Sequence, residues 1–361
     1  MPDMEFWTWI SSEPTGIADF ARRAEAHGWD GIGLGDSQSL TGDPYVCLAL
    51  AATVTDTLGL ATAVTNSITR HASVTATSVF TVQRLSRGRM VVGIGRGDSA
   101  LAHLGRAPAR LKWFETYLEQ LQTYLAGGEV NFEESNIPDE AAPPVDRISL
   151  AKAPETSSIC WVGDEPNEPK VPVEVVATGP RVIGIAARQA DRVMLAVGAD
   201  PKRIAWGIQT AREAARRAGR DIDSIRFGAY VNVICGDDPA VSRELGRPST
   251  GLFARFSAMY GEVAGPVDDS QVEVFRRLHD CYDMTEHGQQ GGQQAMALTD
   301  DFIDRYAIIG SPEYCADKLT DLRKLGVTKF AIIGPNFVMS TPEAEAAAAR
   351  FTGEVLPLLR R

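Results

Sequence analysis

Short apolar runs alternate with helical patterns along almost the whole chain, and this alternation is the feature that most restricts the fold. Eight runs have the length and the branched or aromatic residues of buried strands. They lie at 5–10, 31–34, 58–63, 90–92, 173–177, 191–197, 226–234 and 329–333. The segments between them are long enough for helices that cross back over a parallel sheet. Eight such units predict a (β/α)8 TIM barrel rather than an open doubly wound sheet.

Two stretches interrupt the alternation. Residues 127–170 are rich in Pro, Glu and Asp, with one expected strand at 158–162. Residues 238–300 have helical periodicity, with expected breaks at Pro248, 265–266 and 287–288, and are too long for one crossover. We therefore expect a single barrel domain over residues 1–361, with insertions at about 127–170 and 238–300 over the barrel mouth.

Composition excludes several classes of partner. A net charge of −11 over 361 residues disfavours a nucleic-acid surface or an anionic membrane. The N-terminal stretch is acidic where a secretory signal is basic, and no apolar run reaches the roughly 20 residues of a membrane span. Five scattered cysteines without metal-ligand spacing predict reduced thiols and no metal site. These features together predict a cytoplasmic protein.

The carboxyl ends of barrel strands are where a TIM barrel places its site. The residues that follow the predicted strands are small, polar and glycine-rich, with few ionisable groups and no nucleophile beside a base. They are Asp36-Ser37, Val64-Thr65-Asn66, Gly95-Arg96-Gly97-Asp98, Thr178-Gly179-Pro180, Val197-Gly198-Ala199 and Gly334-Pro335. Such a set has little acid–base machinery, so we expect a bound cofactor to supply the reactivity.

The fourth strand ends in MVVGIGRGDSA, where Gly93, Gly95 and Gly97 alternate with larger residues. Alternating glycines leave one backbone face bare, which suits either a tight strand end or the close approach of a flat ring or a phosphate. The spacing is not the G-x-G-x-x-G dinucleotide fingerprint. Thr178-Gly179 and Gly198-Ala199 precede helices, whose first amides can bind a phosphate.

At these motifs the chain resembles a known family. The T-N-x-x-T-R-H turn before the G-x-G-x-G strand end, the later VEVVATGP and the pattern YAIIGSPEYCADKL resemble the luciferase-like monooxygenase superfamily. Within it the chain is most similar to the deazaflavin-dependent branch that includes methylenetetrahydromethanopterin reductase. The resemblance implies a bacterial luciferase-like barrel, a homodimer, and coenzyme F420 or FMN bound at the C-terminal mouth.

The resemblance also implies roles for residues. It places Asp36 close to the cofactor ring, with Ser37 where many relatives have histidine, and it implies a non-proline cis peptide at Ala63–Val64. The implied cofactor-binding residues are Ala63, Val64, Thr65, Asn66, Gly95, Arg96, Gly97, Asp98, Ser99, Thr178, Gly179, Pro180, Val197, Gly198 and Ala199. The catalytic candidates are Asp36, His71 and His287.

Both histidines have two interpretations. His71 either lines the site or caps a helix, and His287 is either a proton donor or a solvated residue of the second insertion.

The predicted function is hydride transfer from reduced F420 or FMN to a small organic substrate, which the sequence does not specify further. One alternative is a two-component FMN-dependent monooxygenase that uses O2. The other is a non-catalytic relative that binds the cofactor without turnover. The expected partners are the substrate and a second copy of the chain, with a separate flavin or F420 reductase as an optional third. No nucleic-acid or membrane partner is expected.

Overall fold

A closed barrel forms the body of the protein. A computed structural model describes residues 4–135, 137–163, 169–287, 292–334 and 341–360. The strands of the described residues are β1 Glu5–Ile10, β2 Gly31–Leu34, β3 Gly59–Asn66, β4 Met90–Gly95, β5 Val130–Asn131, β6 Thr156–Ser157, β7 Val173–Ala177, β8 Arg192–Leu195, β9 Arg226–Cys235, β10 Ile308–Gly310 and β11 Val327–Ile333. The order β9-β11-β1-β2-β3-β4-β7-β8 closes where β8 pairs with β9. This confirms the predicted (β/α)8 barrel.

Helices surround the barrel. They are α1 Ile17–Ala26, α2 Pro44–Ala52, α3 Ala72–Leu85, α4 Ser99–Ala102, α5 Leu111–Leu125, α6 Pro180–Gln189, α7 Pro201–Arg217, α8 Pro239–Ala254, α9 Asp269–Cys281, α10 Gln293–Met296, α11 Asp300–Tyr306, α12 Pro312–Lys324, α13 Pro342–Arg350 and α14 Leu356–Leu359. Ser311 caps α12 and Pro312 is its first residue, as the sequence predicts. Within the described ranges, no helix combines the length and apolar character needed to cross a bilayer.

The structure differs from the sequence prediction in four elements. β3 continues to Asn66, so the residues expected in a turn are the end of a strand. β10 pairs with the outer part of β9 and has no counterpart in the prediction. The strand expected at 158–162 is instead a 3-10 turn over Cys160–Val162, preceded by the two-residue strand β6.

The fourth difference is the expected break at Pro248, which lies inside a continuous α8. Its face of small residues packs so close to β9 that a Cβ at Gly246 would lie 2.5 Å from Ile234. This packing offsets the loss of the backbone hydrogen bond that proline cannot donate.

A buried charged group fills the amino-terminal end of the barrel. Lys329 donates to both carboxylate oxygens of Glu174, at 2.9 and 2.8 Å. Its Nζ also lies 3.4 Å from the ring centre of Trp7. The Trp7 indole fits because two neighbours are glycines: a Cβ at Gly31 or Gly59 would lie 2.5 Å from the ring. Lys329 is only 2% exposed, so its charge depends on Glu174.

Replacing Glu174 with Gln is expected to lower the free energy of unfolding by about 3–5 kcal/mol, because the buried ammonium loses its counter-charge. Urea unfolding followed by circular dichroism measures the loss. The matched control is Asp321→Asn, which breaks an exposed 2.9 Å pair with Lys324 and should cost about 1 kcal/mol or less. Equal losses in the two variants would contradict the interpretation.

Candidate active site

A cavity of about 1330 Å³ opens at the carboxyl ends of the strands. Two parts of the chain line it. One side consists of strand ends and the turns after them, including Asp36, Gly95 and Gly179. The other consists of residues 245–265 together with His287, all from the segment between β9 and β10. The cavity therefore lies between the barrel mouth and the second predicted insertion.

The floor of the cavity is apolar and contains a backbone irregularity. The peptide bond between Ala63 and Val64 is cis, as the resemblance implies. The register between β3 and β4 shifts at this point, and the indole of Trp9 donates to the Ala63 carbonyl at 2.7 Å. Ala63 and Val64 both line the cavity. The bulge thus presents backbone and small apolar groups to a ligand.

Asp36 lies at the cavity edge but is already engaged by the protein. Its Oδ2 accepts from Thr65 Oγ1 at 2.7 Å and from the guanidinium of Arg70. Arg70 also pairs with Asp43 at 2.8 Å. Burial raises the pKa of the Asp36 carboxyl, and the bonds from Thr65 and Arg70 oppose that rise. Thr65 itself is fully buried and orients Asp36 instead of lining the cavity.

The three glycines of MVVGIGRGDSA have different tasks. A Cβ at Gly93 would lie 2.1 Å from the Thr62 carbonyl oxygen, so glycine is needed where β3 and β4 approach. Gly97 has φ +84° and therefore adopts a backbone conformation that favours glycine. Gly95 lines the cavity. Arg96 lines it too, while its Nε donates to the Ala109 carbonyl at 2.6 Å.

Asp98 lines the cavity, but its carboxylate is occupied by another part of the chain. Both oxygens accept from Arg255, at 2.6 and 2.7 Å. Arg255 thus takes one acceptor position on each oxygen, and the role of Asp98 in cofactor binding stays a prediction. Nearby, Ser99 Oγ shares a 2.8 Å hydrogen bond with Ser37, the residue that stands where many relatives have histidine.

His287 lines the cavity beside this ion pair. The hydroxyl of Tyr282 shares a 2.8 Å hydrogen bond with His287 Nδ1, and the Arg255 guanidinium lies 4.3 Å from the Tyr282 ring centre. Burial, assisted by the Arg255 charge, lowers the pKa of His287 to about 4. The imidazole is therefore neutral at pH 7, and the role of His287 as a proton donor stays a prediction.

The amino end of α6 also faces the cavity. Thr178, Gly179, Pro180 and Arg181 all line it. No described side chain caps this ten-residue helix. A Cβ at Gly179 would meet nothing within 4 Å, so the space before the helix is open. Helix amides and an arginine in such a position suit an anion.

The turn after β8 does not reach the cavity, contrary to its predicted role. The Ala199 amide donates to the Tyr306 carbonyl at 2.7 Å, and the Val197 carbonyl accepts from Arg203 at 3.0 Å. A Cβ at Gly198 would lie 2.8 Å from the Tyr306 ring. Val197, Gly198 and Ala199 are buried under the second insertion, so their backbone groups are not available to a phosphate.

His71 is a helix cap. Its Nδ1 accepts from the Ser73 amide at the start of α3, and its Nε2 lies 2.7 Å from the Ser135 carbonyl oxygen. It does not line the cavity, so the capping interpretation holds. Asn66 does line the cavity, and its side chain also accepts from the amides of Ile68 and Thr69. Pro335 lies outside the described residues.

Apart from His287, sequence reasoning missed the residues that the second insertion contributes. Arg255, Tyr282 and the aromatic residues near 253 carry no motif, and only the fold brings them to the mouth. Arg70 was detectable, since it stands within the T-N-x-x-T-R-H turn. Among the described residues, no group of three or more His, Cys, Asp or Glu side chains is placed to hold a metal.

Residues 5–329 match the family described as luciferase-like monooxygenase. The chain belongs to this family. The cavity lies at the carboxyl ends of the strands, where a TIM barrel places its site. The family match also includes the whole of the second insertion, so that segment is part of the luciferase-like chain.

The names of several similar proteins specify F420 or a pterin. A 5,10-methylenetetrahydromethanopterin reductase of Methanolobus tindarius is 25% identical over 334 residues, 91% of this chain and 94% of the relative. An F420-dependent glucose-6-phosphate dehydrogenase of Nakamurella multipartita is 26% identical over 286 residues, 75% and 78% of the two chains. The structure of the F420-dependent tetrahydromethanopterin reductase from Methanopyrus kandleri has a TM-score of 0.69 at 21% identity, covering 98% of this chain and 99% of that one. This last similarity supports the fold.

The low pKa of His287 predicts a specific pH dependence of stability. The folded value of about 4 is below the ordinary 6.5, so the unfolded chain binds the proton more readily. The stabilisation is therefore fully present above about pH 6.5 and is lost as the pH falls towards about 4. Between about pH 7 and pH 4, the urea concentration at the unfolding midpoint should fall more for the wild type than for the His287→Gln variant. Parallel pH profiles of the two proteins would contradict a buried, neutral imidazole.

Proposed function

We propose that this protein is an oxidoreductase that binds coenzyme F420 or FMN at the barrel mouth and serves hydride transfer to a small organic substrate. The observation that carries the proposal is the strand-end side of the cavity, where the bulge at Ala63–Val64 and the open amino end of α6 face the same space. The names of two similar proteins specify F420. Both cofactors combine a flat tricyclic ring with a phosphate group, which fits these two features.

The residues present suit each part of such a cofactor. The uncapped amides of α6 and the guanidinium of Arg181 would hold the phosphate. Gly95 and the bulge would border the ring, since neither projects a large side chain into the cavity. The open space at Gly179 leaves room for a close approach to the backbone. The turn after β8 is excluded from this assignment because its amide is taken by Tyr306.

When bound in its reduced form, the cofactor supplies a hydride. The protein positions the cofactor and the substrate and sets the environment of the reacting groups. Trp9 fixes the bulge from beneath through its bond to the Ala63 carbonyl, and Arg70 and Thr65 hold Asp36 at the cavity edge. Neutral His287, bonded to Tyr282, offers a polar ring nitrogen without a charge. The inserted segment forms the side of the cavity opposite the strand ends.

Titration of the purified protein with F420 and with FMN, followed by absorbance and fluorescence, tests this function. We expect one of them to bind, and Arg181→Ala to weaken that binding about tenfold, because a charge-assisted bond to phosphate is lost. The control Arg216→Ala removes the same charge from the exposed side of α7 and should leave affinity unchanged.

The outcomes separate the alternatives. F420 binding without oxygen consumption by the reduced complex supports the reductase. FMN binding with rapid oxygen consumption supports the monooxygenase. Binding without turnover of any acceptor supports a non-catalytic relative, and the absence of binding by both cofactors would refute the proposal.

We also propose that the protein is a homodimer through α2 and α3. The sequence of α2, PYVCLALAA, is apolar on all sides, and such helices are normally covered completely. Yet Val46 and Leu50 are 56% and 41% exposed, and Val74 on the adjoining α3 is 51% exposed. A second copy that presents the same face would bury these side chains in a two-fold interface.

Three further expectations stay predictions of the sequence. They are the single-domain organisation, the cytoplasmic location and the separate reductase.

Sedimentation velocity measures the oligomeric state. The wild type is expected to sediment as a dimer, and the double variant Val46→Glu with Leu50→Glu as a monomer, because each added carboxylate would be desolvated in the interface. Val272→Glu, at an exposed valine of α9, is the matched control and should remain dimeric. A monomeric wild type, or a dimeric double variant, would refute this interface.

A further inference from the structure

The cavity is larger than a single ligand requires. Pockets for one drug-sized molecule or cofactor are typically about 300–1000 Å³, whereas this cavity measures about 1330 Å³. Its strand-end side is assigned above to the cofactor. The opposite side, which we name the apolar wall, consists of Tyr230 and the lining residues within 245–265, including Leu252, Phe253, Phe256 and Val263. A second molecule would lie against this wall.

The rings of the apolar wall support one another. Tyr230 and Phe253 are stacked, with centres 5.7 Å apart and planes 21° from parallel. Phe256 meets Phe253 edge-on at 5.8 Å and 90°. Packed aromatic pairs hold their rings in fixed orientations. The wall therefore offers a rigid apolar surface to a flat or aliphatic molecule.

The cations next to the apolar wall are committed to the protein. Arg255 is paired with Asp98 through both carboxylate oxygens. Arg203 donates to Ser257 Oγ at 2.9 Å and to the Ala264 carbonyl at 3.0 Å. Neither guanidinium is left for a substrate anion. The third cation near the wall is Arg96, 5.9 Å from the Tyr260 ring centre, and it donates to the carbonyls of Ala109 and Pro108.

The charge that the wall does present is negative. Among the described lining residues of 245–265 there is no Lys or Arg, while Glu262 is exposed there. An anionic group against this wall would lose hydration that the apolar side chains of the wall do not replace.

We propose that the apolar wall binds an uncharged, mainly apolar carbonyl compound, and that this is the substrate class of the enzyme; the assignment rests on the function proposed above. Neutral His287 suits a carbonyl oxygen, which needs a polar partner and no counter-charge. In the reduction one C–H bond forms at the carbonyl carbon and one O–H bond at the oxygen, while the C=O π bond is lost. The hydride comes from the reduced cofactor of the proposed function and the proton from water.

Calorimetric titration of the protein, in the presence of whichever oxidised cofactor binds, tests the substrate class with a matched pair of probes. The probes are 2-acetonaphthone and its carboxylate analogue 6-acetyl-2-naphthoate. We expect the neutral ketone to bind at least about tenfold more tightly, since the carboxylate would be desolvated beside Glu262. Equal affinities, or tighter binding of the carboxylate, would overturn the proposal.

Reversing the charge of the wall provides a gain-of-function test. Glu262→Lys is expected to tighten binding of 6-acetyl-2-naphthoate about five- to tenfold while the affinity for 2-acetonaphthone stays the same. Glu213→Lys makes the same change on exposed α7 and should alter neither. Phe256→Ser should weaken binding of the ketone by about tenfold, because apolar contact is lost. An unchanged carboxylate affinity in Glu262→Lys would refute the placement of the ligand on this wall.

Failure of this inference and failure of the proposed function give different results. If F420 or FMN binds and the two probes do not differ, the substrate class is wrong and the proposed function stands. If 2-acetonaphthone is bound preferentially while neither cofactor binds, the proposed function is wrong and the wall is a site for neutral apolar ligands.

Discussion

The ion pair between Asp98 and Arg255 is the contact on which the shape of the site depends. Asp98 follows β4 and Arg255 follows α8, so the pair joins the barrel mouth to the inserted helices. Both side chains are largely buried, and burying two charges costs more than their attraction returns unless the geometry is favourable. Here it is favourable: two short parallel bonds form, and the guanidinium lies over the ring of Tyr282.

Arg203 provides a second connection with a different character. It extends from α7 to the carbonyls of Ala264 and Pro266 and to that of Val197 in the turn after β8. Arg255 thus anchors the middle of the segment that includes the apolar wall, and Arg203 anchors its carboxyl end. Aromatic packing next to Arg255 fixes the rings of the wall.

Much of the barrel was accessible to sequence reasoning because its strands and helices follow local rules. Buried strands are short apolar runs, and helices such as α12 begin at a serine followed by proline. The errors occurred where tertiary packing overrides those rules. Pro248 stays helical because α8 is held against β9, and the turn after β8 loses its expected ligand role because Tyr306 covers it. Neither effect is encoded within a few residues of its position.

The residues of the site also fall into two groups, those that local sequence motifs predict and those that they do not. Gly95, Gly179 and the cis bond at Ala63–Val64 were reached from motifs, whereas Arg255 and Tyr282 follow no pattern and meet the barrel only through long-range folding. This division has a consequence for how the protein can change. The groups assigned to the cofactor are spread over strands that also build the core, but nearly all of the apolar wall comes from one contiguous stretch. Exchange of that single stretch, with Arg255 kept as the partner of Asp98, offers a route to a new substrate preference that leaves the strands assigned to the cofactor unchanged.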